Sequence, residues 1–217
     1  MIDFEAARRK MVDNQIRTRD VTAHSVLQAF LTVPREYFVP EKAKTLAYID
    51  TDIQIAPGRC LLDASSLAKL LQLVAPSKDD AVLEVGAASG YVSALLGELA
   101  GSVVALECDD ALATQATHNL ASLGYGNVVV TKGDLEKGCP ERAPFDVIFF
   151  SGSVEEVPAA LVDQLSDGGR LVAVVGYGNA AQAILMVREQ GLLSQSSHFN
   201  LSVAPLPGFR RAKEFVF

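Results

Sequence analysis

The chain has 217 residues, of which 49% are hydrophobic and 21% are charged, as in an ordinary globular protein rather than a disordered one. Its 26 acidic residues outnumber its 19 basic residues, so the formal net charge is −7 and nucleic acid is disfavoured as a partner. No apolar run of about 18 residues predicts a membrane span, and the charged start of the chain predicts a cytoplasmic protein without a signal segment.

The three cysteines, Cys60, Cys108 and Cys139, are an odd number at wide spacing. No pair has the spacing of a zinc site or of a disulfide framework. We therefore expect buried or neutral thiols and no bound metal.

Residues 1–79 are predicted to form a helical segment that carries a substrate loop and packs on the rest of one compact domain. Apolar residues recur there at helical spacing, with Asp20 or Thr22 as the expected N-cap of a helix that Pro34 stops. The expected elements are that helix, ending near Leu31, further helices at 41–47 and 61–74, and a short strand at 53–55.

From residue 80 to residue 217, apolar runs of strand length alternate with helical stretches. Near-continuous apolar strands are typical of a parallel sheet covered on both faces. Right-handed crossovers then give a doubly wound, Rossmann-like α/β domain. An antiparallel pair of strands is expected at its edge, around Gly191. The expected strands are 81–85, 103–107, 127–131, 145–150, 170–175, 181–188 and 196–203, and the expected helices are 90–99, 110–123 and 158–165.

Acidic residues follow three successive strands of this sheet. Ligands of doubly wound sheets bind beyond the carboxyl ends of the strands, where Glu84, Glu107 and Asp134 are expected to meet at one rim. A carboxylate at the end of the second strand suits the two hydroxyls of a ribose, and three acids suit a ligand with ammonium and sulfonium groups. The rim favours S-adenosylmethionine, although each acid alone is also compatible with a solvated strand end or a turn.

The loop after the first of these strands separates two cofactor classes. A nicotinamide fingerprint has glycines at positions one, three and six, which are Gly86, Ala88 and Tyr91 here. One position of three matches, so a nicotinamide oxidoreductase is the weaker alternative.

The stretch Glu84–Tyr91 resembles the first motif of class I methyltransferases. Three further parts of the chain resemble the protein-L-isoaspartate O-methyltransferase family. They are Met11–Ile16 continuing to Val33–Pro40, Gly133–Asp134 with Pro144–Asp146, and Gln164–Leu165 with Gly168–Val172.

This resemblance covers nearly the whole chain and implies an enzyme that transfers methyl from S-adenosylmethionine to a carboxylate of isoaspartyl residues in damaged proteins. It implies a peptide or protein partner, whereas the net charge and the hydropathy argue against nucleic acid and membrane as partners. The basic tail, Arg210, Arg211 and Lys213, is expected to be solvated or to steer such an anionic substrate. The implied cofactor contacts are Glu84, Gly86, Ala87, Ser89, Gly90, Glu107, Asp134 and Leu135.

The segment 58–64 departs from the family pattern Gly-Gln-Thr-Ile-Ser-Ala/Gln-Pro. Cys60, Leu62 and Ala64 stand where the family has Thr, Ser and Pro. The family's Ser hydroxyl lies beside the reacting carboxylate, and leucine neither donates nor accepts a hydrogen bond. No catalytic residue is assigned, and Cys60 and Ser65 are the nearby candidates. Two functions stay open: isoaspartyl repair, or a relative that binds S-adenosylmethionine but has lost that activity or methylates another substrate.

Overall fold

The structure, a computed structural model, describes residues 2–210. Its first part is mainly helical and contains a separate antiparallel hairpin. The elements are α1 (Phe4–Met11), a π-helical turn (Val12–Ile16), a 3₁₀ turn (Arg17–Arg19), α2 (His24–Thr32), 3₁₀ turns at Arg35–Tyr37 and Glu41–Leu46, β1 (Ile53–Ala56), β2 (Arg59–Leu61) and α3 (Ala64–Val74).

The start of α2 differs from the prediction. Neither Asp20 nor Thr22 caps this helix, because Ala23 is its N-cap and Asp20 ends the preceding 3₁₀ turn with a left-handed φ of 63°. The N–H groups of Thr22 and Ala23 donate instead to Oε1 of Gln72 on α3, at 2.7 and 2.9 Å. The N-cap prediction was wrong because a side chain distant in sequence satisfies these donors.

The predicted helix 61–74 starts three residues too early. Residues 59–61 form β2, in which Cys60 lies opposite Gln54 of β1. The helix α3 begins after Asp63, whose Oδ1 accepts the N–H of Ser66 at 2.8 Å as an N-cap. The apolar spacing of the sequence continues through this junction and does not mark it.

From residue 81 onward, strands and helices follow the predicted sequence of elements, with differences in some bounds. The helix predicted at 158–165 is shorter, because the next strand already begins at Leu165, and the strand predicted at 196–203 begins at Leu192 and ends at Asn200. The elements are β3 (Ala81–Val85), α4 (Tyr91–Leu99), β4 (Ser102–Glu107), α5 (Asp110–Ser122), β5 (Val128–Lys132), β6 (Phe145–Val154), α6 (Ala159–Val162), β7 (Leu165–Val175), β8 (Gln182–Glu189) and β9 (Leu192–Asn200). The sheet order is β5-β4-β3-β6-β7-β8-β9, parallel up to β7 and antiparallel for β8 and β9. The predicted doubly wound sheet with an antiparallel C-terminal pair is confirmed.

Two buried apolar clusters cover the sheet. Val82 belongs to one cluster and Leu83 to the other, as the alternation of side chains along a strand requires. The first cluster includes the N-terminal segment, and the rings of Phe30 and Phe38 lie edge-on to Tyr91 at centroid distances of 6.3 and 5.5 Å. The N-terminal segment therefore shares its core with the sheet, and a boundary at residue 79 stays a prediction. Among residues 2–210, no helix has the length and apolar character needed to cross a bilayer.

Candidate functional site

The loop between β3 and α4 is fixed by its backbone. Gly86 and Gly90 have φ values of 89° and 92°, and Ala88 has 53°, all in the left-handed region that favours glycine. The N–H groups of Gly86 and Ala87 donate to the carbonyl of Leu106 at 2.9 and 3.0 Å. This loop is therefore held against the end of β4.

Ser89 adds a polar atom to this loop. It is completely buried, and its Oγ has no hydrogen-bond partner among the described residues. Its carbonyl accepts a hydrogen bond from Nδ2 of Asn119 at 3.0 Å, which ties the loop to α5. A buried hydroxyl without a partner costs about 1–3 kcal/mol, so a ligand that bonds to this oxygen would be favoured.

Glu84 lies inside the domain. It is completely buried, and its oxygens accept hydrogen bonds from the hydroxyls of Ser93 and Ser151, the latter at 2.7 Å. Burial raises the pKa of the Glu84 carboxyl to about 7, although the two serine hydroxyls act in the opposite direction. Glu84 therefore exchanges its proton near neutral pH.

Glu107, at the end of β4, is the most heavily bonded carboxylate of the site. Nη1 and Nη2 of Arg59 donate to its two oxygens at 2.6 and 2.7 Å. The backbone N–H groups of Ala88, Cys108 and Asp109 donate to it at 2.7, 2.9 and 3.0 Å. Burial alone would raise the pKa of this carboxyl, but Arg59 and the backbone donors hold it below its usual value. Glu107 is therefore ionised at neutral pH.

Asp134 has a different environment from the two glutamates. It follows β5 and is exposed, and its carboxylate forms an ion pair with Lys137 at 2.5 Å. The hydrogen bond and charge of Lys137 lower the pKa of Asp134. Leu135 beside it is buried in the second apolar cluster. The three acids thus follow three adjacent strands, but each of them already has a partner.

Arg59 is the site residue that the sequence analysis missed. It begins β2, and the hairpin carries its side chain to Glu107 at the end of β4. Its position corresponds to the Gln of the family pattern, within the same segment in which Cys60, Leu62 and Ala64 also depart. The replacement of Gln by Arg was the available signal in the sequence. It does not identify the partner, because Glu107 is 48 residues away.

An open cavity of about 630 Å³ lies beside the Arg59–Glu107 pair. Its walls come from the hairpin at Pro57–Arg59, from Cys108–Asp109 and from Pro205–Gly208 with Arg210. Of the predicted basic tail, Arg210 borders this cavity and lies 5.5 Å from the ring of Tyr177, whereas Arg211 and Lys213 lie outside the described residues. We call this space the hairpin cavity.

The residues considered as replacements for the family's Ser at position 62 lie outside the hairpin cavity. Ser65 lines a second cavity of about 420 Å³, and its Oγ donates to Oδ1 of Asp50 at 2.6 Å and lies 3.0 Å from Oδ1 of Asp63. Cys60 is half-buried, and burial raises the pKa of its thiol, so it is protonated at neutral pH. Leu62 is buried. Neither Ser65, Cys60 nor Leu62 lines the hairpin cavity.

A comparison with protein families matches residues 6–208 to the family described as Protein-L-isoaspartate(D-aspartate) O-methyltransferase. The chain belongs to this family. The resemblance that the sequence motifs indicated is thereby confirmed.

Relatives in this family are similar over most of the chain. It is 40% identical to "Protein-L-isoaspartate O-methyltransferase 2" of Anaeromyxobacter sp. (strain Fw109-5), over 89% of this chain and 80% of the relative. It is 41% identical to a Protein-L-isoaspartate O-methyltransferase of Methanoregula boonei, over 85% of this chain and 84% of the relative.

Solved structures agree on the fold. A protein-L-isoaspartate O-methyltransferase structure, 26% identical, superposes with a TM-score of 0.83 over 93% of this chain and 66% of that chain. A Plasmodium falciparum protein described as a putative member of the family, in complex with S-adenosyl-L-homocysteine, is 18% identical and has a TM-score of 0.80, with coverages of 95% and 99%. The second similarity supports the fold alone.

Proposed function

We propose that the chain transfers a methyl group from S-adenosylmethionine to a carboxylate of isoaspartyl residues in damaged proteins. The observation that carries this proposal is the family match over residues 6–208, because it includes the N-terminal segment as well as the α/β domain. The glycine loop and Glu107 at neighbouring strand ends support the cofactor part of the proposal.

The described residues fit this cofactor in all but one respect. The loop of Gly86, Ala87, Ser89 and Gly90 lets a ligand approach the backbone, and it offers the buried Ser89 Oγ. Glu107 has the position that suits ribose hydroxyls. The exception is Arg59, which takes both oxygens of Glu107. When bound, S-adenosylmethionine supplies an electrophilic methyl group.

Glu84, Asp134 and Leu135 complete the proposed cofactor contacts. Glu84 is buried close to the loop, and a bound cation favours its ionised form, so we assign it an electrostatic role rather than a direct hydrogen bond. Asp134 is exposed, and its partner Lys137 is exposed as well. Solvent screens such an exposed pair, so it separates readily and leaves the carboxylate free to accept a hydrogen bond.

The reaction needs no general base from the protein. A carboxylate acceptor is already ionised at neutral pH, so the chain contributes by positioning, which supplies about 7–11 kcal/mol in favourable cases. The Oγ of Ser65 lies between Asp50 and Asp63 and its one proton is already engaged, so we assign no catalytic residue.

One alternative rests on Leu62. This residue is buried in the first apolar cluster, and its backbone carbonyl accepts a hydrogen bond from Nη2 of Arg35 at 2.6 Å. No hydroxyl therefore replaces the family's Ser at that position. The alternative is a relative that binds S-adenosylmethionine and methylates another substrate, or that no longer methylates isoaspartyl residues.

The deciding experiment measures transfer of labelled methyl from S-adenosylmethionine to an isoaspartyl peptide and to its normal aspartyl twin. We expect label on the isoaspartyl peptide alone, and much less with Glu107→Gln. The exposed Glu5→Gln is the matched control, and it should transfer at the wild-type rate. Cofactor binding without transfer to either peptide favours the alternative, and no binding in a calorimetric titration contradicts both.

We also propose that the protein works in the cytoplasm, on protein or peptide substrates. Cys60, Cys108 and Cys139 are all free thiols, which suits a reducing compartment.

A further inference from the structure

Glu107 has no oxygen position left for another donor. An ionised carboxylate offers about four lone-pair positions. Two guanidinium N–H groups and three backbone N–H groups already donate to its two oxygens. A ribose whose two hydroxyls donate to Glu107 must therefore replace some of these donors.

Arg59 is the donor that can leave. The three backbone donors belong to the β3–α4 loop and to the end of β4, so they are part of the fold. Arg59 is a long side chain on a hairpin that forms a separate two-stranded sheet. It borders the hairpin cavity of about 630 Å³, which gives the guanidinium space to move away from Glu107.

The side chain of Arg59 also fills space over the glycine loop. A Cβ placed on Gly86 would lie 3.6 Å from Nη2 of Arg59 and 2.5 Å from Cδ2 of Leu206. Arg59 of the hairpin and Leu206 thus cover Gly86, the first glycine of the loop. A ligand that lies along this loop and reaches Glu107 needs the volume that the Arg59 guanidinium occupies.

We propose that Arg59 competes with the ribose hydroxyls of the cofactor for Glu107, and so sets the affinity of this site. The pair is bidentate and charge-assisted, which makes it stronger than two hydrogen bonds from neutral hydroxyls. The cofactor binds fully only when the guanidinium turns toward the hairpin cavity. This inference rests on the proposed function, since it takes S-adenosylmethionine as the ligand.

The test is a calorimetric titration of the wild type and of Arg59→Gln with S-adenosylhomocysteine and with its 2′,3′-dideoxy analogue. For Arg59→Gln we expect at least tenfold tighter binding of S-adenosylhomocysteine than for the wild type. We also expect the variant to prefer S-adenosylhomocysteine over the dideoxy analogue by tenfold or more. The wild type should distinguish the two ligands by less than threefold, because its Glu107 is already occupied.

Two controls separate charge from position. Arg9→Gln removes the same charge from an exposed ion pair with Glu5 and should leave both affinities unchanged. Arg59→Lys keeps the charge but not the bidentate geometry, and its affinity should lie between those of the wild type and Arg59→Gln.

The outcomes separate this inference from the proposed function. Equal affinities of the wild type and Arg59→Gln would overturn the competition but leave the cofactor assignment intact. No binding by either protein would overturn both. If Arg59→Gln does not fold, the wild type still decides, since a tenfold preference for S-adenosylhomocysteine over the dideoxy analogue contradicts an occupied Glu107.

Discussion

The guanidinium carbon of Arg35 lies 4.9 Å from the centroid of the Tyr91 ring. Arg35 is completely buried. Its Nε donates to the carbonyl of Ala47 at 2.7 Å, and its Nη2 donates to the carbonyl of Leu62 at 2.6 Å. A buried charge requires such partners. This one side chain therefore joins the N-terminal segment, the hairpin segment and the first helix of the α/β domain.

Replacing Arg35 should destabilise the whole protein. In Arg35→Met, two buried carbonyls lose their donor and the ring loses its cation, so we expect the free energy of unfolding to fall by about 2–4 kcal/mol. Urea unfolding followed by circular dichroism measures this change. The exposed Arg9→Met is the control, with an expected change below about 0.5 kcal/mol. Equal losses in both variants would refute the joining role of Arg35.

The α/β part of the fold follows from local sequence patterns. The strand at 81–85 and the helix starting at Asp110 agree with the structure because a nearly continuous apolar run, interrupted by Glu84, or a stretch of helical spacing is visible within about ten residues. Right-handed crossovers predict the doubly wound arrangement, but no local pattern specifies the order in which the strands pair.

The missed features all depend on contacts between distant parts of the chain. Gln72 replaces a local N-cap for α2, and β2 exists through its pairing with β1. The pair of Arg59 with Glu107 joins a hairpin to a strand end. The sequence predicted the acids of the site but not their occupied state, because no local pattern identifies the cation that reaches them.

Ala88 carries a left-handed φ of 53°, in a region that favours glycine. This conformation costs a non-glycine residue about 1–2 kcal/mol. Ala88→Gly should relieve the strain, whereas Ala87→Gly, at a neighbouring buried position without positive φ, should only lose packing and backbone order. We expect the free energy of unfolding of Ala88→Gly, measured by urea unfolding, to exceed that of Ala87→Gly by about 1 kcal/mol or more. The reverse order would argue against strain at Ala88.

Because the pKa of Glu84 is raised, we expect the stability of the protein to depend on pH. Its native pKa is about 7, and that of an unfolded glutamate is about 4.3, so the native state holds the proton more tightly. Glu84 therefore contributes about 3 kcal/mol to the free energy of unfolding. This contribution is fully present below about pH 4 and is lost as the pH rises to about 7.

The measurement for Glu84 compares urea unfolding of the wild type and Glu84→Gln from pH 4.5 to 8. The free energy of unfolding of the wild type relative to the variant should decrease across this range and become constant above about pH 8. Glu5→Gln, at an exposed position, should show a flat difference. A flat difference for Glu84→Gln as well would mean that Glu84 has the same pKa in the native and unfolded states.

Leu62→Ser restores the family's hydroxyl in sequence, but we expect it to add no methyl transfer to an isoaspartyl peptide. Leu62 is 2% exposed and lines neither the hairpin cavity nor the cavity at Ser65, so a serine there does not reach a bound substrate. Loss of the buried side chain should cost about 2–5 kcal/mol of stability, against less than about 1.5 kcal/mol for the control Leu62→Met. Both variants are assayed below their unfolding temperatures with the isoaspartyl peptide and its aspartyl twin. A tenfold gain in Leu62→Ser would show instead that this hydroxyl reaches the acceptor, and that its loss explains any weak activity of the wild type.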